Sequence, residues 1–171
     1  MDRQRLIKRL TWYYPLEKFH AFVTAPLLLI YANYLFSIKD SVFISYGLLV
    51  CIFILYQGQH YWKIKLHRLR NKPIDQQKTL KFFLRQKKIN IVLLSAIPAI
   101  FLFQLWLNGG KIIDYKILFW GVFTNGFALL EYINYYHIQL MIDNQWDVEY
   151  VLKNRKLKTA SLANDLRRRK F

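Results

Sequence analysis

A chain of 171 residues that is 54% apolar and 18% aromatic, yet carries a formal net charge of +16, sorts itself into long runs almost without charge and short segments crowded with Lys and Arg. Its mean hydropathy of +0.09 averages over the two kinds of sequence. That segregation is the pattern of membrane spans, and it argues against a basic nucleic-acid-binding domain, which needs no long uncharged runs to fold.

Residues 1–18 read as a basic interfacial segment, with Arg3, Arg5, Lys8, Arg9 and Lys18, and with Trp12, Tyr13 and Tyr14 as anchors at headgroup level. The first apolar run, 19–36, holds Pro26 and Asn33 and is followed by no small-residue cleavage pattern. It is expected to remain as a span rather than to be removed as a signal peptide. A short hairpin with Lys39 and Asp40 leads into the second run, 42–62, which ends on the anchors Tyr61 and Trp62. The single cysteine, Cys51, lies in this run, so neither a disulfide within the chain nor a thiolate cluster can form, and it reads as a small buried hydrophobe.

The segment 63–88 carries ten basic residues and one acid, Asp75. It reads as the main loop outside the membrane, with a turn at Lys72–Pro73–Ile74–Asp75 and with Asp75 capping a helix that continues into the third run, 89–107. Pro98 is expected to bend that span as Pro26 bends the first. Asn108, Gly109 and Gly110 mark a second short hairpin before the fourth run, 117–140, so that 19–140 forms the transmembrane unit. Each run reaches the ~17–20 residues that cross a hydrocarbon core as a helix. No period-two polarity supports barrel strands.

The tail, 141–171, mixes charge with Trp146, Tyr150, Leu157, Leu162 and Leu166, and is expected to form one or two short helices near the membrane surface. The two halves of the chain can also be overlaid, Ala25–Pro26 on Ile97–Pro98 and Gln57 with His60 on Asn134 with His137. The expected fold is therefore all-α: an integral membrane four-helix bundle with short outer hairpins, a basic cytoplasmic loop and a short helical tail. The N-terminal segment, the long loop and the tail hold five, ten and eight Lys and Arg, and the two hairpins three between them. The positive-inside rule then puts both ends on the cytoplasm-like side, in a bacterial inner membrane by preference or an organellar one.

Polar residues of the runs collect toward that side. Glu17 and His20, Gln57 and His60, and Glu131, Asn134 and His137 stand at steps of three, which share a helix face. If the three helices converge, Glu131, His60 and His137 are the catalytic candidates, His20 and His60 the candidates to hold a haem, and Glu17, His20 and Glu131 the candidates to hold a metal. Two carboxylates and one Glu-x-x-His element fall short of a di-iron set. Glu131 and His137, six apart, point about 240° away from each other. No cofactor is therefore expected, with haem or metal as the alternative.

Glu131 is the one acid within the runs, where an ionisable group is a functional candidate by default. A basic loop residue, His60 or Gln57 is its expected partner. Gly121, Thr124, Asn125 and Ala128 form a small, weakly polar stripe suited to close helix packing. Lys63, Lys65, Arg68, Arg70, Arg167, Arg168, Arg169 and Lys170 are the residues expected to meet anionic lipid or an acidic partner.

Phosphate-binding Gly-rich loops, Gly-x-Ser-x-Gly elbows and His-Glu-x-x-His elements are missing from the sequence. The function expected is a non-catalytic subunit or accessory protein of a membrane complex, in contact with other subunits or further copies of itself. The alternatives are a membrane enzyme or redox protein acting on a lipid or quinone, and an oligomeric channel or transporter.

Overall fold

The structure, a computed structural model, describes residues 3–111 and 114–171. Those residues are all-α, with no strand among them beyond the isolated bridge Ile138–Thr159. The elements are α1 (Arg3–Phe19), a π-helical turn (His20–Thr24), α2 (Ala25–Leu35), α3 (Ile38–Leu69), α4 (Gln76–Ser95), α5 (Ile97–Leu107), α6 (Tyr115–Tyr136), α7 (Gln145–Asn154) and α8 (Ser161–Arg168).

Two prolines explain the two interruptions. Pro26 has no N–H to give the carbonyl of Phe22, and its ring crowds that carbonyl. The chain absorbs the mismatch in the wider π turn just before it, and the helical dihedrals of Phe19 and Ala25 keep α1 and α2 one continuous rod. Pro98 acts likewise on Leu94. Here the break is a tightened turn at Ala96, whose N–H is shared between the carbonyls of Val92 and Leu93 at 3.1 and 3.2 Å.

Among the described residues two helical rods are long and apolar enough to cross a membrane, by length and composition: α3 and the combined α4–α5 rod, each of 32 residues with mean hydropathy 2.0 in its best stretch. The other two expected spans fall short of that description for visible reasons. The first, 19–36, is divided between the π turn and the 11-residue α2, so that neither α-helical piece of its continuous rod is apolar over a full span. α6 carries Asn125, Glu131 and Asn134 and ends at Tyr136 rather than near residue 140.

α3 is the hub. Half of its apolar stretch is buried, against 11% for the α4–α5 rod, and α1, α2, α4, α5 and α6 all pack on it. Ser37 caps its start through Asp40, and Asp75 caps α4 by accepting from the Lys78 N–H at 2.9 Å.

At one end of the bundle lie the short joints after α2 and α5, where the Asn108 amide donates to the carbonyl of Lys39. Everything else gathers at the opposite end. Arg3 reaches the carbonyl of Leu69 and the side chain of Asn71 at 2.7 Å each, and Arg9 pairs with Asp143 at 2.5 Å. The tail forms the two short helices α7 and α8. It docks on this end, because residues 137–139 run beside 158–160, with Gln139 N–H donating to Lys158 and Ala160 N–H to His137. α8 then packs on α4 and α6, burying Leu162, and Phe171 stacks on Phe83 with ring centres 5.6 Å apart.

Candidate functional site

The seam between α3 and α6 is made by small residues. Gly47 on α3 lies so close to α6 that a Cβ there would stand 2.7 Å from the backbone nitrogen of Asn125. Gly121, Thr124, Asn125 and Ala128 are all buried and face α3. Asn125 donates to the carbonyls of Phe43 and Gly121 at 2.8 Å each, and Thr124 donates to that of Ile44. From α5, Gln104 accepts from the Phe43 N–H and donates to the carbonyl of Asp40.

The polar layer does not form one constellation; it divides. On one side Tyr135 donates to Glu17 at 2.7 Å, tying α6 to α1. Gly58 makes room for this phenol, since a Cβ there would collide with it. Gln57, expected near Glu131, belongs elsewhere. It exchanges two amide hydrogen bonds with Asn90 at 2.8 and 3.0 Å and accepts from Tyr136 at 2.6 Å. This three-helix knot is fully buried and satisfied by its own members, which is how amides survive in an apolar interior.

The histidines separate too. His60 turns toward α4, among Tyr56, Phe82 and Phe83. His137 is exposed against Tyr132, and His20 bonds Thr24 on its own helix at 3.2 Å. Among the described residues no group of three or more His, Cys, Asp or Glu is placed to hold one metal ion.

What Glu17, His20, Glu131 and Asn134 do share is a cavity of about 640 Å³ between the α1–α2 rod and α6, floored by α3. Its body is largely apolar, with Leu28, Leu35, Leu48, Phe123 and Phe127 beside Tyr31 and Thr124, and its carboxyl and imidazole groups stand at one end. Glu131 is half-buried there and forms no ion pair among the described residues, so the cationic partner expected for it is not present. A second cavity of about 690 Å³ lies beyond, between α1, the end of α3 and the tail, and includes Arg9, Tyr13, Lys65, Asp147 and Lys158. The two meet at Glu17, Asn134 and Met141.

The basic candidates are placed differently from one another. Arg167 to Lys170 and Lys63 are exposed. Arg70 donates to Thr11 and Arg68 stands 3.9 Å from Asp165. Lys65 is drawn inward: its ammonium donates to the hydroxyls of Tyr61 at 3.1 Å and of Ser161, above the Tyr61 and Trp62 rings. Burial pushes its amine down to about 8. Asp147, not singled out in the sequence, organises the tail: it is buried and accepts from Lys158 at 2.6 Å, Gln139 at 2.9 Å and Asn144 at 2.5 Å. Asn144 is a local partner, the cap of α7 three residues before it, whereas Lys158 and Gln139 are brought by the turn of the tail and are hidden in the sequence.

Compared with family models, curated proteins and solved structures, the chain finds no match.

Proposed function

We propose that the chain is a multi-pass membrane protein in which the α1–α2 rod, α3, the α4–α5 rod and α6 cross the bilayer. Both ends and the 63–88 loop then lie on the cytoplasm-like side. Its role is that of a non-catalytic subunit or accessory protein, held with its basic end on anionic headgroups. The carrying observation is the sorting of the surface: Leu27, Ile30, Tyr34, Leu102, Trp106 and Val122 are large, apolar and exposed along the rods, while the cations collect at one end. Apolar area on that scale calls for lipid or protein cover. Each Lys or Arg near an anionic surface adds about 1 kcal/mol.

A binding rather than a catalytic role is supported by the polar side chains themselves. Gln57, Asn90, Tyr136, Asn125 and Gln104 spend their hydrogen bonds on holding helices together.

The test is topology. In a Cys51→Ala background, Asn71→Cys, Arg169→Cys and Gly109→Cys are reconstituted in vesicles and treated with an impermeant maleimide. The first two should react from one side and Gly109→Cys from the other. Protein recovered in the aqueous phase after alkaline extraction, or all three positions reacting from one side, would refute the reading.

A further inference from the structure

The groove between the α1–α2 rod and α6 has a length and a polarity that specify an occupant. From Glu17 to Phe36 its wall spans 20 residues, about 28 Å at a rise of 1.5 Å from each to the next, close to the ~30 Å of a hydrocarbon core. A linear hydrocarbon chain of that length has room in the cavity, at about 640 Å³.

Its carboxyl and imidazole groups mark only one end of it. Two of them are carboxyl groups, Glu17 and Glu131, and neither forms an ion pair among the described residues. Tyr135 satisfies one oxygen of Glu17. The imidazole on the same rim, His20, has one ring nitrogen engaged with Thr24, and Lys65 is held in the other cavity by Tyr61 and Ser161. Carboxylates facing apolar space without a cation are costly, and a cation that brings its own N–H donors removes the cost.

We infer that this groove binds a single-chain amphiphile with a protonated amine head, the nitrogen seated between Glu17 and Glu131 and the hydrocarbon chain running along α2 toward Phe36. The ranking of ligands follows from it. A protein of net charge +16 would, by general electrostatics, attract a fatty acid and repel a fatty amine. The groove reverses that order.

The test uses the whole protein, purified in mild neutral detergent, with octadecylamine, octadecanol and stearate as probes and the bound fraction read by native mass spectrometry. Octadecylamine should bind about tenfold more tightly than either of the others. The near-isosteric Glu131→Gln, alone and with Glu17→Gln, should remove that advantage while leaving octadecanol unchanged. Leu28→Trp, which fills the slot from an exposed position, should weaken all three. Equal binding of the three probes, stearate binding best, or amine binding that survives both Gln changes would overturn the inference. From the membrane reading it borrows only the match in length: failure to partition into bilayers would sink that reading, whereas an unselective slot would sink this one.

Discussion

Lys65 stands where α3 leaves the apolar part of the bundle, among two hydroxyls and two aromatic faces, and burial outweighs the pull of the nearby Asp165 carboxylate on its proton. The folded chain releases this proton near pH 8 and the unfolded chain near 10.5. Between those values the unfolded form binds more protons, so stability climbs as the pH rises through this window and is lowest, for this group, below it. Denaturation midpoints in detergent at pH 7.5 to about 9.5 should therefore rise for the wild type relative to Lys65→Met, in which the difference is removed. Parallel curves for the two proteins would disprove the assignment. Other single residues show what a linear sequence exposes and what it hides. Glu17 and Glu131 stand out because acids are rare beside apolar runs. Tyr135 and Asn90, their equals in the structure, are hidden: one is a tyrosine in an aromatic-rich chain, the other an amide closing a basic stretch, and both acquire meaning only from a partner on another helix.

Among the elements, the α3–α6 seam is the most constrained, because the backbone of Thr124 and Asn125, together with the Thr124 hydroxyl, faces Gly47. Gly47→Ala should destabilise the bundle by about 1–3 kcal/mol, as overpacking does. Gly126→Ala on the open side of α6 should be tolerated, since nothing lies within 4 Å of the added methyl. Equal unfolding midpoints for the two variants would show that the helices are not this close. Local signals read well at this scale: Asp75 as a cap, the prolines as interruptions, and the glycines after α5 as a turn. Each is decided by one to four consecutive residues. The end of α6 does not read well. Its apolar character runs on past Tyr136, but Asn134 folds back to accept from the Leu140 N–H at 2.9 Å, and the chain leaves the helix there.

For the molecule as a whole, the tail is the part least evident from composition. Its scattered Leu and Trp resemble a surface-seeking helix, and only the contacts of Leu162, Asp165 and Phe171 with α3 and α4 reveal that it closes the end of the bundle. Phe171 is 3% exposed, so Phe171→Ala should loosen α8 and speed tryptic cleavage at Arg167 to Lys170 several-fold relative to cleavage at Arg3 and Arg5. Unchanged relative rates would mean that the tail is held by other contacts. The π turn carries a consequence for the evolution of this chain. It spreads one residue more than an α-helix needs over nearly the same rotation, so losing a single residue from His20 to Thr24 would restore a regular α-helix with everything before it at nearly its old bearing. Arg9, Tyr13 and Glu17 would then stay within reach of Asp143, Met141 and Tyr135, whereas a deletion within α2 would turn them away by about 100°. Lineages of this protein should accordingly tolerate a one-residue deletion in that stretch more readily than one elsewhere in the rod.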